Sequence, residues 1–104
     1  MQQFTKSHLQ SEAKFYLVTY DITTGNKTSI ENEIMDVLYG CRPLKNIYLV
    51  KYNKGILNLR KHLQLKLERE DRRNLLVVRI NYKDYLSFNE PSVEVQSWFK
   101  SQLK

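Results

Sequence analysis

The stretch Lys14–Ser29 reads KFYLVTYDITTGNKTS, and the interpretation of the whole chain starts from it. Its first part, Lys14–Tyr20, carries apolar or aromatic side chains at both odd and even positions. A strand with this pattern is buried on both faces and belongs in the interior of a sheet. Asp21 follows where the apolar run stops, and the residues after Ile22 are typical of a loop.

Helices and further strands follow this first strand. Thr28 and Glu31 have the spacing of a capping box, so a helix is predicted to start there, and an apolar stripe continues it. Gly40 is predicted to end this helix by adopting a left-handed conformation. Asn58 and Asn89 are predicted to cap two further helices, over 58–70 and 89–104. Further strands are predicted over Lys45–Tyr52, Asn74–Ile80 and Tyr85–Phe88, the second of them central because it is nearly all apolar.

The resulting order of elements is βαββαβ followed by a helix. It predicts an α+β fold of the ferredoxin-like type, with an antiparallel four-stranded sheet and an added C-terminal helix. Residues 1–13 are predicted to be a flexible arm, and residues 14–104 a single domain. One face of such a sheet stays open, so we expect the C-terminal helix or a second subunit to cover it.

The composition restricts the class of protein. None of the apolar runs in the 104 residues approaches the roughly 20 residues that span a bilayer. The N-terminal residues are polar and lack the apolar core of a signal peptide, so we expect a soluble cytoplasmic protein without a membrane partner. Cys41 is the only cysteine, which excludes an internal disulfide and argues against a cysteine-based zinc site.

Positive charge is concentrated in the middle of the chain. The net charge is +6, and residues 41–83 contain twelve Lys or Arg against three Asp or Glu. Such a segment favours a nucleic-acid partner, or it simply solvates a small domain. The tyrosines among these cations either stack on bases or pack in the core. The candidate nucleic-acid-binding residues are Lys45, Lys51, Lys54, Arg60, Lys61, Arg69, Arg72, Arg73, Tyr48 and Tyr52.

Three segments carry a resemblance to a known family. They are FYLVTYDI at 15–22, LRKHLQLKLEREDRRNLLVVRI at 59–80 and YLSFNEPSVEVQSWFKSQL at 85–103. The first resembles the start of the small CRISPR-associated endoribonuclease-like proteins, and the second fits their later helix and strand in order and length. The third is similar to stand-alone relatives of that superfamily, which include virulence-associated protein D and SinR-like proteins.

The resemblance implies a homodimer and a role for Asp21. In the nuclease members, an aspartate at the end of the first strand faces its symmetry mate and is proposed to hold a divalent metal. The resemblance therefore implies that Asp21 binds Mg²⁺ or Mn²⁺ and that the protein cleaves RNA with this metal. It also implies a role in a defence, toxin or mobile-element system. The chain departs from the family after Asp21, since TTGNKTS has no acidic residue and the next carboxylate is Glu31.

Alternatives remain open at this stage. Asp21 is either this metal ligand or a turn residue whose carboxylate accepts an N–H group from Thr23 or Thr24. Whether the chain is an enzyme is likewise open. The alternative function is a non-catalytic dimeric adaptor, scaffold or inhibitor that binds a protein partner, duplex nucleic acid or both. His62 on the second helix has no partner visible in the sequence, which favours a plain surface position.

Overall fold

A four-stranded sheet forms the centre of the molecule. The computed structural model describes residues 14–23 and 27–103. The strands are β1 (Phe15–Tyr20), β2 (Cys41–Leu44), β3 (Ile47–Lys51) and β4 (Leu75–Ile80), and the helices are α1 (Lys27–Asn32), α2 (Ile56–Gln64), α3 (Tyr82–Phe88) and α4 (Val93–Gln102). The sheet order is β2-β3-β1-β4 with antiparallel neighbours, and the predicted ferredoxin-like fold with an added C-terminal helix is confirmed. The predicted arm at 1–13 lies outside the described residues.

Two predicted strands are corrected. Asn74–Ile80 was expected at the centre of the sheet, but β4 is an edge strand paired only with β1. The predicted strand Tyr85–Phe88 is part of helix α3. The Asn81 side chain caps this helix by accepting hydrogen bonds from the backbone N–H groups of Lys83 and Asp84 at 3.0 and 3.2 Å. Local capping thus sets the conformation of a segment whose aromatic residues suit a strand.

The segment around Pro43 contains a strand that the sequence did not reveal. The predicted strand Lys45–Tyr52 corresponds to β3, and β2 precedes it as the first arm of a hairpin. Proline has no N–H group to donate to a ladder, so it is tolerated only at the outside of a sheet or at an irregularity. β2 meets both conditions because it is an edge strand with a register shift between Cys41 and Leu44.

The helices are shorter and less regular than predicted. α1 begins at Lys27, before Thr28, and continues as a π-helical turn over Glu33–Val37. α2 begins after Gly55, not at Asn58, and ends at Gln64; a separate 3₁₀ helix spans Arg69–Asn74. The hydroxyl of Ser92, not Asn89, caps α4 by accepting a hydrogen bond from Val95 N–H at 3.3 Å.

The two faces of the sheet are covered by different helices. α1, the π-helical turn that follows it and α2 pack on one face, where Ile34, Leu59 and Leu63 are fully buried against the even-numbered side chains of β1 and β3. α4 packs on the opposite face, where Val95 and Phe99 bury residues of β1 and β3. Each face contributes a separate cluster of buried apolar side chains.

α4 is also anchored to the loop before β2. The indole N–H of Trp98 donates a hydrogen bond to the carbonyl oxygen of Tyr39 at 2.8 Å. Tyr39 adopts a positive φ of 53°, a conformation that few non-glycine residues take. The Trp98 ring also contacts Phe15 and Phe99, with centroids 5.6 and 5.0 Å apart. The predicted C-terminal helix is therefore an integral layer of the fold.

α4 leaves one part of its sheet face uncovered. On this face Leu17 lies opposite Val78, and Leu44 lies opposite Ile47. Leu44 is 65% exposed, Leu76 is 53% exposed and Val78 is 41% exposed. We call Leu17, Leu44, Ile47, Leu76 and Val78 the open apolar patch. It lies at the end of the sheet where β1 finishes, because α4 covers Phe15 at the other end.

Gly40 is required for close packing, and its predicted left-handed conformation is wrong. Tyr39, not Gly40, has the positive φ. A Cβ atom on Gly40 would lie 2.7 Å from the carbonyl oxygen of Leu49 and 3.0 Å from Ile34. Backbone shifts of this kind cost about 1–3 kcal/mol. We therefore expect Gly40→Ala to lower the free energy of unfolding by about 2 kcal/mol, measured by urea denaturation.

Ser97→Ala is the control for this prediction. Ser97 is exposed on α4, and surface substitutions of this kind change stability by about 0.5 kcal/mol or less. Equal unfolding midpoints for the two variants would contradict the close approach of Gly40 to β3.

None of the helices in the described part of the chain is long and apolar enough to span a membrane.

Candidate nucleic-acid interface

A polar cleft lies where β1 ends. Its volume is about 410 Å³, and it is formed by the end of β1, by α1 and by the β2–β3 hairpin. We call it the β1 cleft. Its charged lining comprises three cationic and two acidic side chains, namely Lys27, Arg42, Lys45, Asp21 and Glu31; the remaining lining residues are Thr19, Tyr20, Ile22, Asn46 and Tyr48.

A chain of hydrogen bonds forms the floor of the β1 cleft. The Tyr20 hydroxyl donates to the Tyr48 hydroxyl at 3.1 Å, and the Tyr48 hydroxyl donates to Glu31 Oε2 at 3.0 Å. The two tyrosine rings are stacked with centroids 5.5 Å apart. Burial raises the pKa of Tyr48, and the hydrogen bonds to Tyr20 and Glu31 raise it further. Both hydroxyls therefore stay protonated at neutral pH and act as fixed donors.

Arg42 joins this floor to the β2–β3 hairpin. Its Nη1 donates to Glu31 Oε2 at 3.0 Å, and its guanidinium carbon lies 5.2 Å from the centre of the Tyr48 ring. Its Nε and Nη2 both donate to the carbonyl oxygen of Lys45, the former at 2.7 Å. On the other side of the turn, the Thr19 hydroxyl donates to the Asn46 carbonyl oxygen at 2.6 Å. These bonds hold Lys45 at the rim of the cleft.

Glu31 is largely neutralised by these contacts. Its carboxylate is engaged by the positive charge of Arg42 and by the hydroxyl of Tyr48. Among the described residues, neither Lys27 nor Lys45 forms an ion pair. The cleft therefore presents two lysine side chains and the single carboxylate of Asp21.

Asp21 is exposed and lines the β1 cleft. Its backbone N–H donates to the Asn74 carbonyl oxygen at 3.2 Å, at the end of the β1–β4 ladder. The alternative in which Asp21 accepts a hydrogen bond from Thr23 is wrong. Thr23 donates its N–H and its hydroxyl to Asp71 Oδ1, at 3.1 and 2.8 Å. Thr24, the other partner considered, lies outside the described residues. Asp71 is the carboxylate that holds this loop, and it is fully buried.

A single subunit does not assemble a metal site from the residues that the structure describes. In that part of the chain, no three His, Cys, Asp or Glu side chains lie close enough together to hold a metal ion. Asp21 provides one carboxylate, and Glu31 is occupied by Arg42 and Tyr48. A divalent ion at Asp21 therefore needs further oxygen ligands from a second subunit or from the substrate.

Few of the predicted nucleic-acid-binding residues lie in the β1 cleft. Of the ten, only Lys45 and Tyr48 line the β1 cleft. Tyr48 is 2% exposed, so its predicted role as a stacking platform is wrong for the ring as it is placed. Tyr52 is half-buried, and its ring meets the edge of the His62 ring at 6.2 Å between centroids.

Two of the predicted cations have structural partners. Lys51 Nζ donates to the Gln102 carbonyl oxygen at 2.7 Å and fixes the last turn of α4. Arg60 Nη1 donates to the Leu75 carbonyl oxygen at 2.7 Å and joins α2 to β4. The remaining predicted cations are exposed away from the β1 cleft, on the β3–α2 loop, α2 and the 3₁₀ helix; they are Lys54, Lys61, Arg69, Arg72 and Arg73.

His62 has a partner that the sequence did not reveal. Its Nε2 makes a short contact with Glu33 Oε2, and Lys66 Nζ lies 3.5 Å from Glu33 Oε1. Burial raises the pKa of Glu33, but the hydrogen bond and charge of His62, together with Lys66, outweigh it and hold that pKa below its usual range. Glu33 lies in the π-helical turn and His62 on α2, so the cluster joins the two helical segments.

This cluster predicts a pH-dependent stability. The lowered pKa of Glu33 means that its contribution is present above the unfolded-state pKa, about 4.3, and is lost as the pH falls through the folded-state value. We expect Glu33→Gln to lower the free energy of unfolding by about 1 kcal/mol at neutral pH. The difference from wild type should disappear in acid, measured by urea denaturation at several pH values. A difference independent of pH would contradict an ionic role for Glu33.

Comparisons of the chain with protein-family models, with curated proteins and with solved structures find no match.

Proposed function

We propose that the protein is a homodimer that binds nucleic acid in the β1 cleft and hydrolyses RNA with a divalent metal at Asp21. The observation that carries the proposal is that Lys27 and Lys45, neither of which forms an ion pair among the described residues, line the same cleft as the exposed Asp21 carboxylate. Phosphodiesters are recognised by such cations, and their hydrolysis is assisted by a carboxylate-bound metal. One residue set thus supplies both the binding charge and the metal ligand.

The form of the β1 cleft supports a nucleic-acid strand as the ligand. Its volume of about 410 Å³ is within the range that binds small organic groups, and its lining is mainly polar. Hydrogen bonds join Tyr20, Tyr48 and Glu31 in this cleft, and Lys27 and Lys45 line it as well. A nucleic-acid strand that passes through the cleft would bring its phosphate groups close to both lysines.

A second copy of the chain completes the proposed site. The open apolar patch lies at the same end of the sheet as Asp21, and its exposed leucine and valine side chains need cover. Two sheets pack face to face across such surfaces. We place the two-fold axis at this end of the sheet, where each subunit would contribute one Asp21 carboxylate. Two carboxylates, phosphate oxygens and water satisfy the octahedral preference of Mg²⁺ or Mn²⁺, and the bound metal activates water.

The test is a cleavage and gel-shift panel with single-stranded RNA, single-stranded DNA and duplex DNA, in Mg²⁺, Mn²⁺ or EDTA. Wild type is expected to cut RNA only with metal, and Asp21→Asn to cut at least about 100-fold more slowly. Asp36→Asn is the matched control, since Asp36 is exposed outside the β1 cleft. Lys45→Ala is expected to weaken binding and to reduce the salt dependence by about one phosphate contact.

Equal cutting by wild type and Asp21→Asn would contradict the role of Asp21. The homodimer is tested by sedimentation, where Leu44→Lys in the open apolar patch is expected to give a monomer. Leu57→Lys is its control, because Leu57 is 72% exposed on α2, outside the patch. A monomeric wild type that binds no nucleic acid at low salt would overturn the whole proposal.

The second candidate is a non-catalytic dimer that binds nucleic acid or a protein partner. The observation that favours it is the neutralisation of Glu31 by Arg42 and Tyr48, which leaves Asp21 as the one available carboxylate of the β1 cleft in each subunit. Retained binding by Asp21→Asn, with no cutting by either protein, would select this candidate.

A further inference from the structure

The two edges of the sheet differ in how they are protected. β2 has four residues, contains Pro43 and has an irregular register, all of which hinder pairing with another strand. β4 has six residues, contains no proline and pairs along its whole length with β1. Leu76 and Val78 on β4 are more than two-fifths exposed. Within residues 14–23 and 27–103, β4 is therefore the edge that is open to another strand.

The hydrogen-bond pattern shows which peptide groups face this edge. Asp21 N–H donates to the carbonyl oxygen of Asn74, which lies opposite it at the end of the ladder. In an antiparallel ladder, hydrogen-bonded positions recur at every second residue. The peptide groups of Leu76 and Val78 therefore face β1, and those of Leu75 and Val77 face outward.

The contact of Arg60 agrees with this assignment. Its guanidinium donates to the outward carbonyl oxygen of Leu75 at 2.7 Å. This bond covers the first outward position of β4. Within the described residues, no backbone hydrogen bond from outside the sheet reaches the next outward position, Val77. Its N–H and C=O groups have the spacing that a further strand requires.

Charge indicates what kind of strand fits. Five of the six arginines of the chain lie on α2, on the 3₁₀ helix that leads into β4, or on β4 itself; they are Arg60, Arg69, Arg72, Arg73 and Arg79. Only two exposed carboxylates, Glu68 and Glu70, lie among them. A second copy of β4 would bring these arginines together, whereas an acidic segment would complement them.

We propose that the β4 edge binds an extended segment of a partner protein as a fifth strand, with apolar residues flanked by acidic ones. A strand supplies both the acceptor for Val77 N–H and the donor for its carbonyl oxygen, in addition to apolar contact with β4. Phosphate groups of nucleic acid supply only acceptors. This inference does not depend on the function proposed for the β1 cleft and Asp21, because none of the residues of β4 lines that cleft.

The test uses a fluorescein-labelled synthetic peptide of alternating valine and threonine with glutamates at both ends. Wild type is expected to bind it in fluorescence anisotropy. Val77→Pro is expected to weaken binding at least about tenfold, because it removes an outward N–H while the groups paired with β1 remain. Circular dichroism checks that this variant is folded. A copy of the peptide N-methylated at every second amide should not bind.

Arg79→Glu keeps the test informative if Val77→Pro does not fold. It reverses a charge on β4 and is expected to weaken binding of the glutamate-flanked peptide by about tenfold. Lys100→Glu is the matched control, because Lys100 is exposed on α4, which packs near β2 at the other edge. It should bind the peptide as wild type does.

Several outcomes would overturn the inference. A wild type that does not bind at about 1 mM peptide would contradict the proposal, and so would equal binding of the peptide by wild type and a folded Val77→Pro variant. Loss of a homodimer in Val77→Pro during sedimentation would assign this edge to a second copy instead. Loss of RNA binding in Arg79→Glu without any peptide binding would assign it to nucleic acid. Failure of the Asp21 experiments would leave the peptide result untouched.

Discussion

Asp71→Ala is expected to lower the free energy of unfolding by about 3 kcal/mol, because Asp71 is fully buried and Thr23 donates both its N–H and its hydroxyl to it. These bonds join the 3₁₀ helix before β4 to the loop after β1, across 48 residues of sequence. Without the carboxylate, the groups that it binds lose a charged acceptor. Urea denaturation, monitored by circular dichroism, measures this loss of unfolding free energy.

Glu70→Ala is the control for Asp71. Glu70 is the preceding residue of the same 3₁₀ helix and is exposed, so its replacement should change stability by about 0.5 kcal/mol or less. Similar losses for the two variants would mean that the helix itself, not the buried carboxylate, is sensitive to alanine. Because the Asp71 bonds hold the loop that follows Asp21, we also expect Asp71→Ala to weaken the nucleic-acid binding that we propose for the β1 cleft.

Phe99→Ala is expected to lower the free energy of unfolding by about 4 kcal/mol, the range for deleting a buried aromatic ring. Phe99 is 1% exposed, and its ring centroid lies 5.0 Å from that of Phe15 on β1. The ring of Tyr85 lies 5.7 Å away, so the substitution removes the centre of the cluster between α4 and the sheet. The fluorescence of Trp98, the only tryptophan, reports unfolding beside the changed site.

Phe88→Ala is the matched control for this prediction. Phe88 ends α3 and is 81% exposed, so its loss should change stability by about 0.5 kcal/mol or less. A small loss for Phe99→Ala, with no shift of the Trp98 transition, would contradict the conclusion that α4 is a structural layer. α4 would then contribute little to the stability of the sheet.

Much of the fold was predictable because its periodic signals are local. The strand Phe15–Tyr20 carries apolar residues on both faces because helices cover both faces of β1. The sequence did not distinguish β4 from a central strand, since Leu76 and Val78 are apolar yet exposed. An apolar side chain in a sequence does not reveal whether it is buried within one subunit or left open for another.

The candidate site was predicted only in part, for a related reason. Asp21 and Lys45 were identified as candidates by their position in the sequence, and both line the β1 cleft. The contacts of Arg42 with Glu31 and of His62 with Glu33 join residues 11 and 29 positions apart, and no local pattern marks such pairs. Fold topology brings these pairs together, so only a three-dimensional arrangement reveals them.

The bond between Trp98 and Tyr39 has a consequence for synthesis of the protein on the ribosome. It joins residues 59 positions apart, so Trp98 is synthesised long after Tyr39. Until α4 has left the exit tunnel, the side of β1 and β3 that carries Phe15 and Leu49 lacks the cover that Val95 and Phe99 provide. We therefore expect a nascent chain stalled before residue 91 to be held by chaperones, and emergence of α4 to trigger its compaction.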